Sequence, residues 1–174
     1  MNIKIEVMKR TFCLYLRINI LFFFLVLSLS SVLAQDLKKY NFGIFSINLP
    51  NNCQLMQEEN NDGMVCKTYN TPNKKFLYNC CVFTIDEDFD LKERLREEAL
   101  GLNIDIEKVG YFAVTTGTDS PLLSTMAEFE NYSLTMGIYP YYEKGKAVFV
   151  CLIDIENKNV VNLVEMMSTF RPLK

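Results

Sequence analysis

Two sets of side chains in this sequence are of types and spacings that do chemistry: a group of cysteines and an acidic run. Beyond residue 34 the cysteines are Cys53, Cys66, Cys80, Cys81 and Cys151. A thiol attacks or ligates as its thiolate, and forming one near neutral pH takes a neighbouring base or cation. The chain contains no histidine at all. That removes Cys-His and Ser-His-Asp catalysis and His-ligated zinc, copper and iron. It also removes the side chain best suited to moving protons near pH 7. Near Cys80 the only basic residues are Lys74 and Lys75. Disulfides are the alternative use of these thiols. Cys53 and Cys66 flank the turn signal Asn60-Asn61-Asp62-Gly63, so they are the pair expected to be bridged across a hairpin. The odd count leaves at least one thiol over. Cys81 shares parity with Phe83 and Ile85 and reads as a buried thiol, as does Cys151 amid Val148–Ile153. Cys80, next to Cys81 in a strand, must point to the opposite face.

The acidic run is Asp86-Glu87-Asp88-Phe89-Asp90. Asp86, Asp88, Asp90 and Glu97 fall at positions one, three, five and twelve of a calcium loop. Leu91 stands where that loop needs glycine, a strand precedes it, and Glu97 fits the polar face of a helix. The plainer reading is an acidic first turn that complements a helix dipole. No metal and no cofactor is expected, with the calcium loop as the alternative.

A third set is aromatic. Phe129, Tyr132, Tyr139, Tyr141, Tyr142 and Phe149 crowd the later strands. Strand alternation puts some under a helix, and any left uncovered form a binding surface. Tyr139, Tyr141 and Tyr142 are the expected binding residues. Asn131-Tyr132-Ser133 is a glycosylation sequon, relevant only in a eukaryotic secretory pathway.

The elements that must position these residues follow from periodicity. Phe42–Leu49 alternates and stops at Pro50, a half-buried strand. Cys53–Gln57 and Met64–Tyr69 form a hairpin about the Asn-Asp-Gly turn, and Phe76–Ile85 is a long central strand. Asp90–Asn103 is the clearest helix: Leu91, Leu95, Ala99 and Leu102 share one stripe, Asp90 caps the start and Glu93 completes a capping box. Val109–Thr116, Leu122–Glu130, Tyr132–Tyr141 and Ala147–Ile155 read as strands, with Pro140 at an edge or strand end. Val160–Phe170 is a second helix with Val160, Leu163, Val164 and Met167 on one face, capped by Asn157 or Asn159. Strands, helix, strands, helix, with connections too short for parallel crossovers, give an α+β fold: a mainly antiparallel sheet flanked by two helices.

Ahead of this domain, Ile20–Leu27 is an unbroken apolar run, preceded by Lys9, Arg10 and Arg17 and followed by Val32-Leu33-Ala34. This is the pattern of an export signal cleaved before Gln35, too short and too interrupted for a membrane span. Residues 1–34 are thus expected to be a signal peptide and 35–174 a single domain, exported to the periplasm or secreted. The chain has 18 basic and 21 acidic residues. Without Lys4, Lys9, Arg10, Arg17 and Glu6 there remain 14 and 20, a net charge of −6. An anionic domain without a basic run is a poor partner for nucleic acid or an anionic membrane.

Phe45-Ser46-Ile47-Asn48-Leu49-Pro50 resembles the opening strand of the PsbP-like family. The late hairpin around Gly145, followed by a helix closing on Ser168-Thr169-Phe170, is similar too. The resemblance spans about Asn41–Arg171. It implies an α/β/α sandwich, the fold shared with a nuclear-import factor that binds a small GTPase, and a tendency toward accessory or binding roles. It assigns no residue a role. The sequence therefore reads as an exported, non-enzymatic binding or assembly module whose partner is a protein or small molecule. The alternatives are an exported enzyme using Asp86, Asp88 or Cys80, and a structural subunit of a cell-envelope complex.

Overall fold

The computed structural model describes residues 36–61, 63–155 and 160–173. The expected signal peptide lies outside the described residues, as do the helix caps expected at Asn157 and Asn159. The described elements form the compact unit that begins at Lys38, with the first strand starting one residue earlier.

The strands are β1 (Leu37–Asn41), β2 (Phe45–Pro50), β3 (Gln54–Asn61), β4 (Met64–Asn70), β5 (Phe76–Thr84), β6 (Phe112–Val114), β7 (Leu122–Glu128), β8 (Ser133–Tyr141), β9 (Lys146–Asp154) and β10 (Arg171–Pro172). The helices are α1 (Leu91–Gly101), α2 (Ile106–Val109) and α3 (Val160–Ser168), and a 3-10 turn spans Tyr142–Lys144. Seven strands make the main sheet, in the order β3-β4-β5-β9-β8-β7-β6, and β1-β2-β10 make a small second sheet. Each pair in the main sheet is antiparallel. The fold is α+β, as expected.

Two meanders build the main sheet. The first runs β3 to β5. The chain then leaves through α1 and α2 to the far edge and returns as β6 to β9, so that β9 zips against β5 from Phe76↔Asp154 to Thr84↔Lys146. The side chains of β5 alternate between two cores. On one face Phe76, Tyr78 and Cys80 join Val148, Val150 and Leu152 beneath β2, α3 and Phe170. On the other, Phe149, Cys151, Met136 and Ile138 pack against Leu95 and Ala99 of α1 and Ile106 of α2. The sheet is thus buried on both sides over β8 and β9, where long side chains each stabilise by about 1.5–3 kcal/mol when fully covered. Gly137, in the middle of β8, is required there: a Cβ would lie 2.6 Å from Ser124 Oγ and 3.1 Å from the Leu123 carbonyl oxygen.

Helix α1 forms for the reasons legible in its sequence. Asp90 Oδ1 accepts from the backbone N–H groups of Lys92 (2.8 Å) and Glu93 (3.1 Å), satisfying two donors of the first turn. Glu93 completes no capping box; it pairs with Arg96 at 3.2 Å instead. Leu95 and Ala99 are buried, whereas Leu102, one residue past the last turn, is exposed. In α3 the buried residues are Leu163, Met166 and Met167.

Two expectations shift. Residues 37–41, ahead of the first strand expected, form a strand of their own, β1, in the small sheet. The single strand expected over Val109–Thr116 is split, because Gly110 takes φ +78°: α2 ends before it and only Phe112–Val114 pairs with β7. Pro140 sits past Ile138, the last β8 residue in register with β7, at a strand end as expected.

Candidate functional site

The three tyrosines expected to bind a partner separate. Tyr139 is 5 % exposed and Tyr141 8 %, and Tyr142 alone reaches solvent, at 54 %. Their alternation is broken by the turn. Tyr139 and Tyr141 share a face of β8 and point under α3 and the small sheet, whereas Tyr142 has left the strand for the 3-10 turn. The buried hydroxyls are used internally: Tyr139 hydrogen-bonds Thr118 Oγ1 at 2.8 Å, and Tyr141 donates to the Ile44 carbonyl. Both belong to a continuous aromatic ladder. Tyr40 meets Tyr69 (6.3 Å between centroids), Tyr69 meets Phe42 (5.4 Å), then come Phe42–Phe45 (4.8 Å), Phe45–Phe170 (5.0 Å), Phe170–Tyr139 (5.5 Å) and Tyr139–Tyr141 (4.8 Å). Tyr139 and Tyr141 share one core with Phe170 and Met167, so the face expected to bind is buried core instead.

The cysteines also pair differently. The bridge is Cys66–Cys81, not Cys53–Cys66. Register decides this. Cys66 lies directly opposite Cys81 in the β4–β5 ladder, with Cα atoms 4.1 Å apart. Across the hairpin its partner is Glu59. Cys53 precedes β3, held in a turn by its N–H to the Pro50 carbonyl (3.0 Å) and packed in the aromatic core. Their flanking of the Asn-Asp-Gly turn pointed to Cys53, but Cys53 lies just before β3, whose first residue Gln54 already pairs with Asn70, far from Cys66. Cys81, expected as a buried thiol, is therefore bonded, while Cys151 is buried and free, and so is Cys80.

Burial pushes the Cys53 and Cys80 thiols up to about 11 and Cys151 to about 12. All three are neutral at pH 7 and poor nucleophiles. Asp86 and Asp88 are exposed. Asp90 is occupied as the helix cap, and Glu97 lies 3.4 Å from Arg94. Among the described residues, no group of three or more cysteines and carboxylates is placed to hold a metal ion.

One edge of the main sheet is open to solvent along its whole length. Helix packing falls on β2, β7, β8 and β9. Every residue of β3 is exposed, and every residue of β4 is half-buried. Leu55 and Met56, 48 % and 55 % exposed, sit at a bulge in β3. Glu58 pairs with Lys67 of β4 at 3.2 Å, and Glu59 accepts from the Gln57 amide at 2.6 Å. The Cys66–Cys81 bridge ties this hairpin to β5. The turn of the hairpin lies at the same end of the sheet as Tyr142, since both Gly63 and Gly145 approach the end of β5. Sequence reasoning missed β3 as a surface because it ended the strand at Gln57 and gave the polar stretch after it to the turn, whereas β3 runs on to Asn61.

No protein-family profile matches the chain, and no curated protein matches it in sequence. Solved structures give distant likenesses. The Saccharomyces cerevisiae Ran-binding protein Mog1p is 12 % identical with a TM-score of 0.48, covering 80 % of this chain and 96 % of that one. A point variant of Mog1 is also 12 % identical (TM-score 0.46; 80 % and 97 % covered). A Bacteroides thetaiotaomicron protein is 14 % identical (TM-score 0.45), and the match covers 75 % of this chain but only 45 % of that one. Among the described residues no helix is long and apolar enough to cross a membrane.

Proposed function

We propose that this chain is an exported binding or assembly module that holds a protein partner on the β3–β4 hairpin. The observation that carries this reading is the contrast within one sheet: β8 is buried at every residue, and β3 is exposed at every residue. A solvent-facing strand of that length is a template for another chain unless something covers or blocks it. Export is supported by the leader pattern and by the Cys66–Cys81 bridge, a bond that persists in oxidising compartments. The PsbP-like resemblance implies the same kind of accessory role. Buried neutral thiols and an absence of histidine favour a surface role over chemistry at Cys80.

Photo-crosslinkers placed singly at Leu55, Tyr142 and Val161 of the protein in its native compartment test the reading. A specific adduct from Leu55 is expected, with none from Tyr142, at the opposite end of the sheet beside the hairpin turn, and none from Val161 on α3. No adduct from Leu55 removes the hairpin as the surface. Turnover of an ester, peptide or glycoside that stops in Cys80→Ser or Asp88→Asn makes the chain an enzyme. Mass spectrometry of the exported product is expected to find Gln35 at its N-terminus; an intact leader in the membrane makes that segment an anchor.

A further inference from the structure

We infer that β3 takes its partner as an added antiparallel strand, and that the segment added carries lysine or arginine. The inference rests on the hairpin being the binding surface and names how it binds. β3 ends the seven-stranded sheet, with its outer side unpaired among the described residues. The direction of its peptide groups follows from register. A Cα separation of 4.1 Å marks Cys66 and Cys81 as a non-hydrogen-bonded pair, so the peptide groups of Cys66 turn toward β3. They meet Glu59 there. Peptide directions alternate along a strand, so the N–H and C=O groups of Glu58 and Asn60 point away from the sheet. Beyond the bulge, Gln57–Asn61 stays in regular register with β4 and presents these groups as a short straight edge. Leu55 and Met56 add exposed apolar surface at one end.

Charge selects the occupant. β3 carries Glu58 and Glu59 and no basic residue. Neighbouring strand residues point to opposite faces, so each face of the edge offers one carboxylate. Lys67 meets Glu58 from β4, and no basic residue faces Glu59 across the ladder, where its partner is Cys66. Protected edges commonly carry lysine; this one carries the opposite sign. A second copy pairing through β3 in register about this pair sets glutamates against glutamates, which is unfavourable. A basic strand gains on both faces. Main-chain hydrogen bonds would supply affinity and the two carboxylates selectivity, the division of labour in strand addition.

The test uses the purified protein with two short labelled peptides, one repeating Lys-Lys-Val-Val, which puts lysines on both faces of a strand, the other repeating Glu-Glu-Val-Val. The basic peptide is expected to bind, and to lose about tenfold in affinity between low and high salt as screening grows. Asn60→Pro removes an outward N–H without cutting the β3–β4 ladder. It is expected to weaken binding about tenfold or more with an unchanged melting temperature. Should that variant misfold, Glu58→Lys with Glu59→Lys keeps the backbone and is expected to move the preference to the acidic peptide. Equal affinity for both peptides, or a preference that survives the charge reversal, overturns the proposal. So does a dimer in sedimentation that Asn60→Pro dissolves, since the edge is then an interface between copies. A Leu55 adduct in the native compartment with neither peptide bound leaves the module reading standing and removes strand addition alone.

Discussion

The strands β3 and β8 belong to one antiparallel sheet and share its geometry, yet they have opposite fates. β8 (Ser-Leu-Thr-Met-Gly-Ile-Tyr-Pro-Tyr) is buried at all nine residues, with α1 on one face and α3 on the other. β3 (Gln-Leu-Met-Gln-Glu-Glu-Asn-Asn) is exposed at all eight and, among the described residues, pairs with β4 alone. The difference shows where stability and function are separated in this molecule. The aromatic ladder supplies the core, and the hairpin, tied back by one disulfide, supplies a surface that costs little to alter.

That contrast can be broken from the core side first. Among the described residues the free thiols are Cys53, Cys80 and Cys151, and all three lie in the packed cores. Each is raised by burial from an ordinary value of 9.0, to about 11 for Cys53 and Cys80 and about 12 for Cys151. Above pH 9 the unfolded chain sheds these protons and the folded one does not, so the unfolded state binds fewer protons and stability falls as pH rises. The loss begins near pH 9 and grows through pH 11 and beyond, and all three groups push the same way. Chemical denaturation at pH 7, 9 and 11 is expected to show this decline, and replacing Cys151 with Ala or Ser is expected to make it shallower. A flat profile means the thiols are not sequestered.

Next in size is Phe170→Ala, which removes the ring between Phe45 and Tyr139. A loss of about 3–5 kcal/mol is expected in urea unfolding, as for large core truncations. A loss below about 1 kcal/mol makes the ladder a loose stack instead of a core. Replacing Cys66 and Cys81 together by Ala opens a link of 15 residues and is expected to cost about 3 kcal/mol by the chain-entropy relation. Hydrogen exchange in that variant is expected to rise in β3 and β4 and to stay unchanged in β8 and β9. Uniform acceleration across the sheet means the hairpin and core are one cooperative unit.

Smaller effects sharpen the comparison. Asp90→Ala leaves two first-turn N–H groups without their acceptor and is expected to cost about 1 kcal/mol. Millimolar calcium is expected to leave the wild-type melting temperature unmoved; an upward shift that vanishes in Asp88→Ala restores the calcium-loop alternative. Smallest of all, Leu55→Ala with Met56→Ala is expected to change stability within about 0.5 kcal/mol while reducing adduct formation at the hairpin. A large stability loss there makes these residues structural.

How legible the molecule was depended on whether a signal was local. Helix α1 was readable because its cap, Asp90, and its stripe, Leu95 and Ala99, lie within three turns of chain. β5 and β9 were readable as strands because nine-residue runs rich in β-branched and aromatic residues fit a pleated surface packed on both faces. The break at Gly110 was hidden, since a glycine inside an apolar stretch shows its positive φ only once the flanking elements are placed. The site was the least legible part. Tyr139, Tyr141 and Tyr142 look alike in sequence, and their exposures differ because β8 ends between the last two and α3 returns over the first two.

The sequence by itself determined the α+β class, the placement of α1, α3 and the long strands, and the exclusion of histidine chemistry, because composition and periodicity act on a residue and its near neighbours. Tertiary structure alone decided which cysteines meet, which tyrosines are covered and which strand is left at the edge. Each of those depends on register and strand order, and contacts between residues far apart in the chain set both. The bond between Cys66 and Cys81 exists because β4 pairs with β5 in one register; a shift of one residue would put the two sulfurs on opposite faces of the sheet.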